Sequence, residues 1–543
     1  MSNGIFSMPV PQNEPVQNYG PGSPEKAKLK AALTELSGKQ LDIPVVINGE
    51  EIRTGKLGKC VMPHNHGHLL GQFHQAGTKE VEDAIEGALK VRKEWASLPW
   101  EERAGIFMKA AEILAHEKRY IMNAATMLGM SKTAVQAEID SACELIDFWR
   151  FNIHYMEQIY RQQPASSPLS WNRVEHRGLE GFVFAITPFN FAAIAGNLPT
   201  APAMMGNVVI WKPASSAVYP AYHILKILEE AGLPPGVIQF VPGSGGTVGD
   251  PVLKHPAFAG LHFTGSTPVF QDMWRTIGNN IQDYYTYPRI VGETGGKDFV
   301  FAHASADVEA LSVALVRGAF EYQGQKCSAA SRAYIPKSIW PKVKERIVEM
   351  TKELTVGDVS DFTNFMGAVI DQKAFNSIKS YIDFAKNSSE ATILVGGDYD
   401  DSVGYFIQPT IVETTNPRFK LMEEEIFGPV LTVYVYADED LEEALELCNT
   451  TSPYGLTGSI FAKDRRDIVF LADALSEAAG NFYVNDKPTG AVVGQQPFGG
   501  ARASGTNDKA GSLINLQRWV SQRTIKENLL PPRDYRYPHL GEK

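Results

Sequence analysis

One cysteine in this chain lies among small and polar residues instead of inside an apolar run. Cys327 occurs within residues 321–332, with Lys326 before it and Arg332 after it. The thiolate is the reactive form of cysteine, and a thiol with an ordinary pKa of roughly 8.5 needs a nearby positive charge or base at neutral pH. Lys326 and Arg332 are candidates for that positive charge. The alternative is a buried structural cysteine, because free cysteine is among the most buried residue types.

Two carboxylates occupy turns on either side of this cysteine in the sequence. Glu293 precedes two glycines and lies 34 residues before Cys327, where it is a candidate base held on a turn. Glu425 stands two residues before Phe427, on a turn that Pro429 constrains. Each of these features alone is compatible with a structural role.

Further candidates follow predicted strands in the first half of the chain. Lys212 ends one such strand and supplies a cation for a ribose or a phosphate. Gly265 allows close approach of a ligand, and Ser266 begins a helix whose N-terminus can face a pyrophosphate. The glycine-rich run 243–249 does not match G-x-G-x-x-G and lacks an acidic residue about 20 positions later, so it is a weak signal by itself.

Short apolar strands alternate with helices from residue 181 onward, and these elements must position the candidates. A second half of the same kind begins near Glu293. The pattern predicts parallel sheets covered on both faces, which bind nucleotides at the carboxyl ends of their strands. The predicted strands are 182–186, 208–211, 237–241, 260–263, 299–301, 333–335, 391–395, 431–435, 458–461 and 482–484.

The first 180 residues follow other patterns. Residues 1–22 are polar and rich in proline, which predicts an arm that drapes or frays, and a helix begins at Ser23. Residues 45–52 predict a hairpin around an Asn-Gly turn. Helical periodicity covers 78–160, and its third stretch, 134–156, has Ile139 among its apolar positions together with Glu144.

Two segments have the alternation of exposed strands. Residues 163–180 predict an exposed hairpin, which is either blunted or used for association. The tail from residue 511 is too apolar to be free and is predicted to pair with another strand or subunit.

His64, His66 and His68 share one face of an extended segment without a carboxylate or cysteine, so we interpret them as a solvated strand end and not as a metal site.

Composition narrows the classes of protein. The net charge is −11 and no run rich in lysine or arginine occurs, which argues against nucleic acid and acidic membrane surfaces as partners. The four cysteines lack CxxC spacing, which fits a reducing compartment and no zinc site. No apolar run approaches the roughly 18 residues of a membrane span. The first 20 residues contain no lysine or arginine, so we expect a cytoplasmic protein, or a mitochondrial matrix protein if the chain is a mature eukaryotic one.

Four motifs in this order resemble the NAD(P)-dependent aldehyde dehydrogenase superfamily over residues 45–510. They are Thr187-Pro188-Phe189-Asn190, Glu293-Thr294-Gly295-Gly296-Lys297, the segment around Cys327, and Glu425-Ile426-Phe427-Gly428-Pro429. The resemblance implies an α/β fold with a Rossmann-like cofactor domain, an α/β catalytic domain and a small β oligomerisation element. The domains expected are an arm (1–40), an NAD-binding domain (41–160 and 181–292), a catalytic domain (293–487), and an oligomerisation hairpin and tail (161–180 and 511–543).

The resemblance also implies a role for each candidate. Cys327 would attack the aldehyde carbon, Asn190 with the backbone N–H of Cys327 would hold the oxyanion, and Glu293 would activate the water that hydrolyses the thioester. No metal is implied. The positions that match the family's NAD-binding residues are Thr187, Lys212, Ser215, Gly265, Ser266, Thr267, Val269, Glu425 and Phe427. Ser215 stands where NAD-selective relatives often carry Glu, so NADP is not excluded.

Around Cys327 and in residues 490–508 the sequence is similar to the Δ1-pyrroline-5-carboxylate dehydrogenase subgroup, whose members oxidise L-glutamate γ-semialdehyde with NAD in the second step of proline degradation. The positions implied to bind that substrate are Glu144 for its ammonium, Ser328, Gly490 and Ala491 for its carboxylate, and Phe191 and Phe498 for its aliphatic stem. Some relatives carry Ser at position 491. The alternatives are a dehydrogenase for another acid semialdehyde, such as succinate semialdehyde, and a catalytically retired family member. A homodimer formed by strand addition is expected.

Overall fold

The computed structural model describes residues 4–541 as one chain of alternating helices and strands. The first three residues of the predicted arm and the last two of the predicted tail lie outside the described residues. The helices are α1 (Pro24–Ser37), α2 (Thr78–Ser97), α3 (Trp100–Glu112), α4 (Arg119–Met130), α5 (Ala134–Ala137), α6 (Glu144–Tyr160), α7 (Ala192–Met204), α8 (Val218–Ala231), α9 (Gly245–Lys254), α10 (Thr267–Asn279), α11 (Val308–Phe320), α12 (Trp340–Glu353), α13 (Gln372–Lys386), α14 (Lys420–Glu423), α15 (Leu441–Thr450), α16 (Arg465–Ala474) and α17 (Leu513–Gln517).

The strands form two large sheets and several small ones. They are β1 (Leu41–Ile43), β2 (Val45–Ile47), β3 (Glu50–Ile52), β4 (Leu57–Met62), β5 (Asn65–His74), β6 (Ser170–Arg177), β7 (Phe182–Ile186), β8 (Val208–Lys212), β9 (Ile238–Phe240), β10 (Phe258–Thr264), β11 (Arg289–Glu293), β12 (Asp298–Ala302), β13 (Ala330–Pro336), β14 (Ala391–Val395), β15 (Tyr399–Asp400), β16 (Phe406–Ile407), β17 (Thr410–Thr414), β18 (Val430–Tyr436), β19 (Tyr454–Gly455), β20 (Thr457–Phe461), β21 (Asn481–Val484), β22 (Ala501–Arg502) and β23 (Ser521–Asn528).

The first large sheet has the strand order β11-β10-β7-β8-β9-β2-β3. Its five strands from β11 to β9 are parallel, and the predicted hairpin β2–β3 adds an antiparallel edge. Strands β7 and β8 are buried along their whole length, as expected for strands covered by helices on both faces. The predicted α/β alternation is confirmed in this half.

The second large sheet has the order β14-β17-β18-β13-β12-β20-β21. Its strands are parallel except β14, which pairs antiparallel with β17 at the edge. In β12, Phe299 and Phe301 belong to the core on one face, whereas Val300 and Ala302 belong to the core on the other. The sequence analysis missed β11 and β17 and did not anticipate the antiparallel edge.

The two sheets meet where the candidate residues lie. Strands β7, β8, β10 and β11 end at one edge of the first sheet, because parallel strands share a direction. Residues 294–297 connect the end of β11 in the first sheet directly to the start of β12 in the second sheet. Cys327 lies three residues before β13, so the second sheet contributes the amino ends of its strands.

Three local predictions are wrong. Residues 163–180 do not form a hairpin ladder, because β6 pairs over eight residues with β23 of the tail. His64 is buried and hydrogen-bonds Ser131, whereas His66 and His68 reach the Asp401 and Ser37 carbonyls, so the three rings do not share a solvated face. The periodicity over 134–156 predicted one helix, but residues 138–143 form a π-helical turn and Ile139 is exposed.

The N-terminal arm drapes over the helices of the first half. Residues 4–22 have no regular structure, yet Tyr19 is buried and its hydroxyl donates to Glu138 at 2.6 Å. The helix after the arm begins at Pro24 with Ser23 as its N-cap, as the sequence predicts. No helix among residues 4–541 is both long and apolar enough to cross a membrane.

Candidate active site

The chain reaches Cys327 through three consecutive left-handed residues. Tyr322, Gln323 and Gly324 have φ values of 51°, 55° and 64°. A side chain at Gly324 would bring its Cβ to 2.2 Å from the carbonyl oxygen of Gly428. Left-handed backbone costs free energy in non-glycine residues and persists only where surrounding structure imposes it.

Buried hydrogen bonds impose this conformation. The side-chain amide of Gln323 donates to the carbonyl oxygens of Ser131 and Ala368 at 2.9 and 2.8 Å, and its oxygen accepts from Gly367 N–H at 3.0 Å. Gln325 accepts from Ile370 N–H at 2.9 Å. The loop is therefore fixed on both sides of the reversal, which sets the direction in which the thiol emerges.

Cys327 is partly exposed, whereas the other three cysteines are buried. Burial, followed by the negative charges of Asp298, Glu293 and Glu425, raises the pKa of its thiol well above the ordinary value. Lys326 does not supply a positive charge to this thiol, because its ammonium group donates to the side-chain oxygen of Gln136 instead.

Arg332 does not supply that charge either. Its guanidinium is buried and donates to the carbonyl oxygen of Lys297 at 2.8 Å and to the Tyr334 hydroxyl at 3.0 Å. The thiol therefore faces carboxylates and not cations, and its proton must leave to a base when it reacts.

Asn190 lies beside the cysteine loop. It follows β7, it is buried, and its side-chain nitrogen donates to the carbonyl oxygen of Gln325 at 3.1 Å. The amide nitrogen carries a second hydrogen that this bond does not use. The structure thus brings Asn190 of the first sheet to the Cys327 loop of the second.

Glu293 is the last residue of β11. Its carboxylate accepts a hydrogen bond from Gly500 N–H at 3.1 Å. Burial raises its pKa well above the ordinary value, and the Gly500 bond and Lys509 lower it only in part. A Cβ at Gly499 or Gly505 would approach the carboxylate oxygens to 3.1 or 3.2 Å, so glycines leave the space that this side chain occupies.

Glu425 and Phe427 lie on the turn that precedes β18. Glu425 accepts from Gly296 N–H at 2.9 Å, and burial raises its pKa to about 7. Phe427 has a left-handed φ of 58°, and its ring packs edge-on against Phe189 with 5.8 Å between centroids. Phe189 stands next to Asn190, so this contact also links the two sheets.

Thr187 directly follows β7, and Lys212 is the last residue of the neighbouring strand β8. Thr187 N–H donates to the Lys212 carbonyl oxygen at 3.2 Å, and the Thr187 hydroxyl accepts from the Trp211 indole at 3.0 Å. Burial lowers the pKa of Lys212 to about 8. No carboxylate among the described residues forms an ion pair with Lys212. Ser215, three residues later in the chain, is exposed.

The N-terminus of α10 opens at the same edge of the sheet. Gly265 N–H donates to the carbonyl oxygen of Glu293 at 3.2 Å, which holds the turn before the helix. Ser266 is the N-cap but makes no side-chain hydrogen bond to the helix. Thr267 is buried, and Val269 is 44% exposed on the first turn. The first N–H groups of this 13-residue helix are left without a side-chain cap.

Ser328, the first of the residues expected to bind substrate, directly follows Cys327. The Ser328 hydroxyl hydrogen-bonds the Thr489 hydroxyl at 2.8 Å, and the Lys487 ammonium donates to the Thr489 carbonyl at 2.9 Å. Gly490 follows with a left-handed φ of 98°, and Ala491 comes next. The structure thus brings Ser328 to Thr489, the residue before Gly490.

Glu144 and Phe191 are linked to the same region by two lysines. The Lys132 ammonium lies 4.4 Å from the centroid of the Phe191 ring, and that of Lys326 lies 5.9 Å from it. Burial and the charge of Asp140 raise the pKa of Glu144 well above its ordinary value. Phe498 is half-buried and pairs through its backbone with Ala510.

The sequence analysis missed Lys132 and Asp140. Lys132 is fully buried, pairs with Asp140 and lies between the rings of Phe191 and Tyr322, 3.9 Å from the centroid of the latter. Burial lowers its pKa to about 8. The sequence gives no sign that Lys132 is buried at this position. Its partner Asp140 lies in a π-helical turn, and helical periodicity does not predict such a turn.

Comparisons with known proteins agree with this geometry. The profile of the aldehyde dehydrogenase family matches residues 53–525. A Dictyostelium discoideum protein named mitochondrial delta-1-pyrroline-5-carboxylate dehydrogenase is 54% identical, over 98% of this chain and 96% of its own length. The human protein of the same name is 50% identical over 97% and 94%.

Solved structures give the same result. The delta-pyrroline-5-carboxylate dehydrogenase from Mycobacterium tuberculosis bound with NAD is 51% identical and superposes with a TM-score of 0.96 over 100% of both chains. The 1-pyrroline-5-carboxylate dehydrogenase from Thermus with bound NAD is 32% identical, with a TM-score of 0.90 over 96% of this chain and 100% of its own. The chain described here belongs to the aldehyde dehydrogenase family.

Proposed function

We propose that this protein oxidises L-glutamate γ-semialdehyde, the open form of Δ1-pyrroline-5-carboxylate, to L-glutamate with reduction of NAD, the second step of proline degradation. The relatives compared above carry the name of that enzyme over nearly the whole chain. The observation that carries the proposal is that Ser328, the residue after Cys327, hydrogen-bonds Thr489, the residue directly before Gly490. One segment therefore offers a nucleophile to the aldehyde and an anchor to the carboxylate.

Acylation is assigned to Cys327 and Asn190. The thiol, which is partly exposed, loses its proton to water, and the sulfur adds to the aldehyde carbon. The second amide hydrogen of Asn190 and the backbone N–H of Cys327 donate to the oxyanion that develops. The bond from Asn190 to Gln325 fixes these donors before the substrate arrives.

The residues at the edge of the first sheet fit a dinucleotide. The uncapped N-terminus of α10 suits a pyrophosphate, and the buried Lys212 without a carboxylate partner suits a ribose or phosphate oxygen. Thr187, Ser215, Gly265, Ser266, Thr267 and Val269 line the same edge, and Glu425 and Phe427 are assigned to the nicotinamide end. NAD bound there would accept the hydride from the carbon attached to Cys327. Ser215 is exposed and carries no negative charge that would repel a 2′-phosphate, so NADP should be tested beside NAD in the activity assay.

Deacylation is assigned to Glu293. Its carboxylate is held by Gly500 N–H at 3.1 Å and has space because Gly499 and Gly505 lack side chains. As a base, it would take a proton from water as the water oxygen attacks the thioester. Its raised pKa makes it a stronger proton acceptor than an ordinary carboxylate.

Substrate recognition is assigned to both ends of the semialdehyde. Ser328 with the backbone N–H groups of Gly490 and Ala491 would bind the α-carboxylate, and Glu144 would meet the α-ammonium. The rings of Phe191 and Phe498 would flank the aliphatic stem. Ala491 offers no hydroxyl, so one side-chain hydrogen bond present in some relatives is missing, which changes affinity by about 0.5 to 1.5 kcal/mol.

The test is NADH formation with Δ1-pyrroline-5-carboxylate and with succinate semialdehyde, in the wild type and in Cys327→Ala. We expect preference for the former and no turnover by the variant. Cys448→Ala is the matched control, since Cys448 is a buried thiol in the core of the second half. Preference for succinate semialdehyde would assign that aldehyde as the substrate in place of L-glutamate γ-semialdehyde. Inactivity of the wild type with every aldehyde would favour a catalytically retired family member.

The assembly and compartment belong to the same proposal. The sheet of β6 and β23 projects Trp171, which is 53% exposed, and the following tail exposes Leu530. These surfaces support a homodimer formed by strand addition, which sedimentation tests. The division into an arm, a cofactor domain, a catalytic domain and an oligomerisation element, with the boundaries predicted from the sequence, is part of this proposal. The eukaryotic relatives named mitochondrial favour the matrix where the host is eukaryotic, and the cytoplasm is proposed otherwise.

A further inference from the structure

The N-terminal arm touches the loop that follows Gly490. The side-chain nitrogen of Asn13 donates to the carbonyl oxygen of Val493 and to a carboxylate oxygen of Asp147, both at 2.8 Å. Its side-chain oxygen accepts from the amide of Gln495 at 2.9 Å. Both hydrogens and the oxygen of one arm residue are therefore engaged by segments that lie far away in the sequence.

Residues 490–496, which we call the anchor loop, make few other hydrogen bonds. Among residues 4–541, Asn13 is the only hydrogen-bond partner of the anchor loop from outside it. Within the loop, Val492 N–H donates to the Gln496 side chain, and Val492 accepts from two following N–H groups. Packing holds the loop as well, because the Val493 side chain is buried in the core of the first half beside Gly511, and a Cβ at Gly494 would overlap the Phe151 ring of α6.

The other end of the contact lies on the helix of Glu144. Asp147 is one turn after Glu144 in α6, and residues three apart share a helix face. Asp147 accepts from Glu14 N–H at 2.7 Å as well as from Asn13. Asn13 therefore bridges the element assigned to the substrate ammonium and the loop assigned to the substrate carboxylate.

We propose that Asn13 is a positioning residue that holds the anchor loop at a fixed distance from α6, and so sets the affinity for a substrate carrying both an α-carboxylate and an α-ammonium group. This inference rests on the proposed function. Asn13 does not touch the reacting atoms, and it acts through Val493 on the backbone N–H groups of Gly490 and Ala491. A loop that must be ordered on binding lowers affinity, whereas a loop ordered beforehand does not.

The test compares Asn13→Ala with the wild type on two aldehydes. With Δ1-pyrroline-5-carboxylate, KM is expected to rise about five- to twentyfold with kcat within about twofold, as expected for loss of binding without loss of chemistry. With propanal, which lacks both charged groups, kcat/KM is expected to stay unchanged, as is KM for NAD. Asn18→Ala is the matched control, since Asn18 is an exposed arm residue whose side chain accepts from Gly20 N–H, two residues later in the arm itself.

Asn13→Asp separates positioning from folding. It keeps the shape of the side chain but cannot donate to Val493 and brings a negative charge to Asp147, so its KM is expected to rise at least as much. Equal loss on both aldehydes, or an unchanged KM in both variants, would overturn the inference. A wild type without preference for Δ1-pyrroline-5-carboxylate would instead overturn the proposed function, and the two failures are distinguishable.

Discussion

The side-chain amide of Asn190 donates a hydrogen bond to the carbonyl oxygen of Gln325 at 3.1 Å. Asn190 follows a strand of the first sheet, and Gln325 lies two residues before Cys327 in the second half. The bond joins the two halves at the point where a nucleophile and an oxyanion donor must be held together. Since the donor is already oriented, little reorganisation is needed when charge develops on the substrate.

Asn190→Ala should lower kcat by about 10²- to 10³-fold, which is the typical cost of removing one oxyanion donor. The rate to measure is the first turnover of NADH formation, because it reports the acylation and hydride steps. Asn172→Ala, on strand β6, is the control and should retain full activity. A loss smaller than tenfold in Asn190→Ala would assign the oxyanion to other donors.

Alkylation of Cys327 by iodoacetamide in the cofactor-free protein should need a pH well above that at which an ordinary thiol reacts. Burial and three carboxylates raise the pKa of the thiol, so the thiolate is scarce at neutral pH. Glu293→Gln removes one of these negative charges, and the midpoint of the pH profile should move down. Cys327→Ala gives the background from the three buried thiols. A midpoint near pH 7 in the wild type would show a positive field that the structure does not contain.

Glu293→Gln should give a burst of NADH followed by a stall, because the thioester forms but is not hydrolysed. In the wild type, the hydrolysis rate should fall as the pH drops through the raised pKa of Glu293, well above the roughly 4.3 of an ordinary Glu. Rapid mixing with excess NAD measures both phases. Glu477→Gln changes an exposed carboxyl and should show no stall. Steady turnover by Glu293→Gln would exclude it as the base.

The sequence predicts the elements that carry the site better than the contacts that shape it. Strand β7 with Asn190 and strand β8 with Lys212 follow from apolar runs and their ends, and the structure has both. The direction of the Lys326 side chain does not follow, because it depends on Gln136, which lies 190 residues away. A charge beside a cysteine in sequence is therefore a poor guide to the field at its sulfur.

Pairings between distant segments account for most of the other differences. The alternation in β6 predicts a strand, but it does not show which strand is the partner. A local hairpin is the simplest prediction from such a pattern, whereas the actual partner β23 lies more than 340 residues later. The arm has no periodicity at all, so its attachment through Asn13 and Tyr19 rests on polar contacts that only the folded chain reveals.

The arm is fixed to the helices by a buried carboxylate. Glu138 accepts from Arg119, from the Tyr19 hydroxyl and from Gln17 N–H at 2.9 Å. Burial acts to raise its pKa, but these three partners outweigh burial and hold the pKa below the ordinary value. A carboxyl with a lowered pKa in the folded state contributes stability above its unfolded pKa, and that contribution is lost as the pH falls through the folded pKa.

Glu138→Gln should therefore destabilise the protein by about 3 kcal/mol at pH 7, the cost of breaking a buried ion pair, and by less as the pH falls below about 4.5. Arg119 keeps a second partner in Glu14, which limits the loss. Thermal unfolding at pH 7 and at pH 4 measures the difference, and Glu35→Gln, in an exposed pair with Lys39, should move the midpoint little. The gap between wild type and Glu138→Gln must narrow on acidification, because only the wild type loses an ionised Glu138. A gap that widens would mean that Glu138 is held protonated in the folded protein and that the arm is attached by neutral hydrogen bonds.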